Sequence, residues 1–310
     1  MQLQTVLLIL KTKISKNMEI NIPKIEIGKQ NEIIKGTNFL DIFKNSYVDP
    51  SEEIKPQPVA ISIGSSEYKG INYPIPFGSY GDFSCIVGAS KSRKTFFKSM
   101  IEAAYIGGAS NIYNPSIKGH NTKDKLIISI DTEQSKHHTQ RVVRRVLDLV
   151  GSNYDLYKTF SLRTYSPKER FEFINWLVYE SEFKKDIGLM SIDGYVDLVT
   201  DFNSLEQATG LTEKLLEWTA RKEVKEQMHI TGILHKNFGT AKPVGHVGSS
   251  VLKKAETVVF IDKEEEISSA KCEYSRNMEF KTLNFGINKD WLPYEIEEGI
   301  VVNNKKEVSF

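Results

Sequence analysis

Eight residues constrain this chain more than any others. Gly88-Ala89-Ser90-Lys91-Ser92-Arg93-Lys94-Thr95 follows the apolar run Phe83-Ser84-Cys85-Ile86-Val87 and precedes a helical pattern over Thr95 to Tyr105. A buried strand, a tight Gly/Ser/Lys turn and a helix in that order form a phosphate-binding loop. The backbone N–H groups and the helix N-terminus hold the anion, Lys94 reaches the β- and γ-phosphates, and Thr95 offers its hydroxyl to magnesium. The pattern has glycine before the lysine, and here Arg93 stands in that place. The competing reading is a Ser/Lys-rich surface turn, which must also account for the apolar strand before the loop and the helix after it.

Around the loop, strand and helix patterns alternate from Val59 onward, which predicts an α/β fold with a mostly parallel central sheet flanked by helices. Leu126 to Ile130, Thr159 to Tyr165, Ile187 to Ile192 and His229 to Leu234 read as strands. Thr257 to Ile261, Lys271 to Tyr274 and Lys281 to Ile287 add short strands near the end. Val142, Val143, Val146, Leu147 and Val150 repeat at helical spacing, Pro167 opens another helix, and Leu205 to Lys225 reads as a long one. Before Val59 the periodicity is weak, and Pro50 to Pro56 has the composition of a linker. The expected division is a short N-terminal extension and linker over 1–55 and the core over 56–310.

The charge balance, 41 basic against 40 acidic residues, gives no global field to draw the chain to nucleic acid or membrane. Any DNA contact must rest on a local patch. The apolar run Val6 to Leu10 is too short to span a bilayer and no basic residues precede it. Two well-separated cysteines, Cys85 and Cys272, exclude a disulfide framework and fit a reducing compartment. These features together predict a cytoplasmic protein without membrane contact.

Several strand-end residues are candidates for chemistry, because the carboxyl ends of parallel strands face the ligand crevice of such a sheet. Asp193, ending Ile187 to Ile192, is the candidate magnesium carboxylate; the alternative is a turn made with Gly194. Gly194 stands where many P-loop ATPases carry a catalytic glutamate, so Glu133 in Asp131-Thr132-Glu133-Gln134 is the better candidate base for the attacking water. His235, before Lys236 and Asn237, is placed to contact the γ-phosphate, or it is an ordinary strand-end turn residue. Phe238 to Ser250 reads as a glycine-rich loop suited to backbone contact with a nucleic acid strand, or as a plain connection. Asp197 and Asp201 read as solvent-facing or loop-capping residues, and Arg141, Arg144 and Arg145 as a solvated helix face.

In sequence order, the P-loop, Asp131-Thr132-Glu133, Asp193, Leu234-His235-Lys236-Asn237 and a Gly/Ser loop leading into Ala255-Glu256-Thr257-Val258-Val259 resemble the RecA/DnaB superfamily of ring or filament ATPases. The similarity is greatest to the RepA-type helicase ATPases of phages and plasmids and covers about residues 56 to 290. It implies a RecA-like core using ATP and Mg2+, and a motor on single-stranded DNA in replication or recombination. It also implies self-assembly into a ring or filament. Glu133 would be the base, His235 the γ-phosphate sensor, and about Asn237 to Ser250 the DNA-facing loop. Arg276 in Tyr274-Ser275-Arg276-Asn277 would reach a neighbouring subunit's nucleotide. The large N-terminal helical domain of the DnaB kind has no counterpart before the core. The alternative from another class is a regulatory or assembly ATPase that switches protein interactions without moving along DNA. A P-loop kinase of small molecules is disfavoured, since no arginine-rich lid segment is evident.

Overall fold

The computed structural model describes residues 38–107, 113–151, 155–221, 227–236 and 244–296. The chain divides into two compact units, Met1–Lys55 and Pro56–Phe310. In the first, helix α1 (Phe39–Ser46) is capped by Asn38, whose side chain accepts from the Leu40 N–H, and none of its residues is buried.

In the second unit, β1 (Val59–Tyr68) and β2 (Ile71–Ser79) form an antiparallel hairpin that pairs with β4 (Ile117–Gly119) in a three-stranded sheet. Among the described residues the main sheet has nine strands, in the order β12-β11-β10-β9-β3-β8-β7-β5-β6. Their spans are β3 (Phe83–Gly88), β5 (Leu126–Asp131), β6 (Tyr157–Ser161), β7 (Ile187–Asp193), β8 (His229–His235), β9 (Thr257–Glu264), β10 (Ile267–Ser275), β11 (Leu283–Ile287) and β12 (Pro293–Ile296). The six from β9 to β6 are parallel, and β10, β11 and β12 continue the sheet antiparallel. The sheet is thus mostly parallel and helix-flanked, the α/β arrangement expected of a RecA-like core. The expectation of strand–helix alternation from Val59 onward fails at the N-terminal end, whereas the consecutive short strands expected near the other end are present. Residues 59–79 make an antiparallel hairpin on a separate sheet, and residues 257–296 make an antiparallel meander.

Alternation along the strands explains the layering. In β3, Phe83, Cys85 and Val87 belong to one apolar cluster and Ile86 to the other, as successive side chains must on a sheet buried on both faces. One face is covered by α2 (Lys94–Gly107) and α3 (Lys136–Val150), through residues such as Phe97, Met100, Val146 and Leu149. The other carries α4 (Pro167–Tyr179), α5 (Leu205–Ala220) and α6 (Gly245–Lys254), through Ile174, Leu215, Trp218, Val247 and Val251. Both cysteines are buried and free. No helix among the described residues is long and apolar enough to cross a membrane.

Two sequence expectations need correction here. The glycine-rich segment Phe238 to Ser250 is not all loop: Gly245 to Ser250 begins α6, because Val247 and Val251, one turn apart, are both buried. Residues 237–243 lie outside the described residues. The long helix after Ser204 ends at Ala220, with Arg221 left-handed at its C-cap (φ 38). Ser166 caps α4 in a full capping box with Glu169, ahead of Pro167.

Candidate nucleotide site

Strand register brings the candidate residues to one edge. Gly88 pairs with His235 across β3–β8, and Asp131 pairs with Asp193 across β5–β7. All four therefore end their strands on the carboxyl side, where the order reverses between β3 and its neighbours and a crevice opens. A cleft of about 430 Å³ lies there, lined among others by Lys94, Thr95, Glu133, Asp193 and His235.

The loop is shaped by its backbone. A Cβ on Gly88 would lie 2.5 Å from Ser92 Oγ and 2.6 Å from the Ile261 carbonyl, so the loop entry admits only glycine. Lys91 (φ 63) and Arg93 (φ 74) are left-handed, a conformation that costs non-glycine residues roughly 1–2 kcal/mol. Arg93 thus adopts the backbone that the glycine of the pattern would supply. Its guanidinium is anchored on the β9–β10 turn, donating to the Glu266 carbonyl at 2.6 Å and to the Glu266 carboxylate at 3.1 Å. The Arg93 carbonyl accepts from the N–H groups of Phe96 and Phe97 at the start of α2.

Lys94 is buried, and its ammonium donates to the Ala89 carbonyl at 2.7 Å, with His235 Nδ1 3.3 Å away. Burial lowers its pKa, against the opposing pull of Asp193 and Glu133. Thr95 donates its hydroxyl to Asp193 Oδ2 at 3.3 Å. Asp193 is 3% exposed. Burial lifts its carboxyl to about 6, with Asp131 and Glu133 adding to the rise and the buried Lys98 opposing it. A hydroxyl and a carboxylate at this spacing are hard oxygen donors of the kind that suit magnesium, which takes one or two protein ligands and completes its shell with phosphate and water. Among the described residues no cluster of three or more His, Cys, Asp or Glu competes as a metal site.

Glu133 lies beside His235, with 3.6 Å between Oε2 and Nε2, and that contact holds its pKa below the ordinary range. Asp131 fixes the segment that carries Glu133: its carboxylate accepts from the N–H groups of Glu133 and Gln134 and from the Thr139 hydroxyl. Gly194 explains why no carboxylate follows Asp193 directly. At φ 109, an added Cβ would meet Asp197 Oδ2 at 2.4 Å and Thr132 Oγ1 at 2.5 Å.

Other residues at the site carried little sequence signal. Thr132 Oγ1 lies 2.6 Å from the Asp193 carbonyl and 2.7 Å from Asp197 Oδ2, so Asp197 braces the strand ends while Asp201 caps its own loop through the Asn203 N–H. Lys98, fully buried one turn beyond Lys94, contacts Glu102 at 3.3 Å and Ser129 at 3.1 Å. Its i,i+4 spacing to Glu102 was the available clue. Arg141 and Arg144 are exposed as a solvated face requires, but Arg145 is not, and it lines the cleft.

Arg276 stands apart from these residues. It donates to Asp82 Oδ2 at 2.8 Å and to the Lys254 carbonyl. Asp82 directly precedes β3, whereas the P-loop follows it, so the two sites are separated by the length of a six-residue strand, about 16 Å or more.

No protein-family profile matches this sequence, and no curated protein matches it. Among solved structures, the crystal structure of the RadB recombinase is similar over 72% of this chain and 93% of that one, at 15% identity and a TM-score of 0.48.

Proposed function

We propose that this chain binds ATP with magnesium at Gly88–Thr95, hydrolyses it, and works as an oligomeric motor on single-stranded DNA in replication or recombination of a phage or other mobile element. The observation that carries the ATPase reading is convergence. Lys94 with Thr95, Glu133, Asp193 and His235 come from four separate segments and line one cleft at the sheet's carboxyl edge.

In this reading the loop's N–H groups and the first turn of α2 hold the phosphates, and the Lys94 ammonium exchanges the Ala89 carbonyl for the β- and γ-oxygens. Thr95 and Asp193 would hold magnesium, which neutralises charge developing on the transferred phosphoryl group. Glu133 accepts a proton from the attacking water at its carboxylate, with His235 fixing its orientation and touching the γ-phosphate. The DNA and helicase parts rest on the resemblance carried by the motif order. Arg276, at the opposite end of the sheet from its own P-loop, suits a head-to-tail contact in which one subunit's arginine reaches the next subunit's nucleotide. Such a heterologous contact closes as a ring or extends as a filament.

ATP turnover measured with and without single-stranded DNA tests the proposal. A DNA-coupled motor shows marked stimulation. Turnover indifferent to DNA favours the regulatory or assembly ATPase instead, and no turnover removes the ATPase reading.

A further inference from the structure

The cleft extends past the P-loop to Phe96, Val142 and Arg145, and the catalytic reading gives these three no role. Arg145 comes from α3, and its guanidinium carbon sits 3.7 Å from the centroid of the Phe96 ring. That stacking fixes the plane of the guanidinium and shields one face from water. Its polar partners are few. Nη1 reaches Ser99 Oγ only at 3.4 Å, and the buried Nε has no hydrogen-bond partner. The nearby carboxylate, Glu102, is occupied by Ser129 at 2.8 Å, Tyr157 at 2.9 Å and Lys98 at 3.3 Å. A desolvated cation whose neighbouring acid is committed elsewhere is costly to the fold by itself. Burial lowers the Arg145 pKa to about 10, so the group remains charged at neutral pH.

On the ATPase reading, the lining residues would give a triphosphate a direction in this cleft. Glu133 and His235 mark the γ end, Lys94 the β- and γ-oxygens, and Thr95 with Asp193 the bridge between them. Phe96, the next residue along α2, marks the end nearest the sugar. We infer that Arg145 binds the α-phosphate of ATP in cis, and that Phe96 and Val142 form the wall against which the nucleoside lies. The guanidinium supplies planar N–H donors to a phosphate oxygen, the geometry at which arginine exceeds lysine. This assignment rests on the ATPase reading and adds to it a residue that sets affinity for the nucleotide without touching the bond that breaks.

Magnesium-ATP and magnesium-ADP titrations of wild type and Arg145→Met test it, with thermal unfolding as a control. Methionine keeps an unbranched stem over Phe96 and removes the charge. The expected result is a loss of about tenfold or more in affinity, typical of a lost charge-assisted hydrogen bond, and equal for ATP and ADP because both carry the α-phosphate. If the methionine variant does not fold, Arg145→Gln is judged by the same criteria. Dissociation constants within about threefold of wild type, well short of such a bond, overturn the assignment. So does a loss confined to ATP, which would put Arg145 on the γ-phosphate. If wild type binds neither nucleotide, the ATPase reading and this assignment fall together. Tight wild-type binding with an unaffected variant removes the assignment alone.

Discussion

Removing the charge of Asp193 should make this protein more stable while disabling it. The carboxyl titrates near 6 when folded, against an ordinary value of 3.8, chiefly because it is buried. A raised carboxylate pKa means that the folded state binds the proton more tightly than the unfolded chain. The ionised form is therefore a burden on the fold. The burden is fully present above the folded pKa and fades as pH falls from about 6 towards 3.8. At about 1.4 kcal/mol per tenfold difference in proton affinity, it amounts to about 3 kcal/mol at pH 8. Asp193→Asn keeps the shape and an oxygen to accept from Thr95. In a unit of this size a gain of that order raises the melting temperature by about 5–10 °C. Melting curves of wild type and variant without nucleotide, at pH 8 and pH 5, provide the assay. The variant should be more stable at pH 8, with the gap reduced to roughly half at pH 5, and magnesium-dependent stabilisation by ATP should disappear. A variant less stable than wild type at pH 8, or a gap independent of pH, would refute the reasoning.

Two further outcomes concern turnover. Glu133→Gln should bind ATP normally and lose roughly a hundred- to ten-thousand-fold in hydrolysis rate, since the amide keeps the shape but cannot take the water's proton; a loss below about tenfold in single-turnover assays assigns the base to another carboxylate such as Asp193 or Asp197. Arg276→Ala and Lys94→Ala should each be inactive alone and regain activity when mixed, because some interfaces then pair an intact P-loop with an intact arginine; an arginine supplied in trans is worth roughly a thousandfold or more. Full activity of Arg276→Ala alone, with a monomeric mass in the presence of ATP and DNA, excludes the shared site.

The centre of the parallel sheet was legible because its strands are short, largely apolar runs. Strands β3, β5 and β7 have no exposed residue, so their pattern depends on no partner outside the sheet. The β1–β2 hairpin was hidden by its context. Its outer half, from Gly64 to Asn72, is largely exposed, and the turn rests on left-handed Lys69 and Gly70, a two-residue turn without the usual Asn-Gly signature. Helix α6 was masked by its glycines, although Val247 and Val251 anchor it. At the site, motif residues sit at strand ends and can be found by counting. Arg145 could not, because three arginines within five positions resemble a solvated face. What separates Arg145 from the other two is close stacking, 3.7 Å to the Phe96 ring on another helix against 5.9 Å from Arg141 to the Trp291 ring. The Asp82 that holds Arg276 is 194 residues distant in sequence, beyond the reach of local patterns.

The central claim is that Gly88–Thr95 holds the triphosphate of ATP, and equilibrium binding of magnesium-ATP to wild type and to Lys94→Ala tests it most directly. Lys94 is the buried cation of that loop, held by the Ala89 carbonyl beside His235. Tight binding by wild type, weakened by about tenfold or more in a variant that melts normally, is the predicted result. Equal affinity in the two proteins would contradict the account.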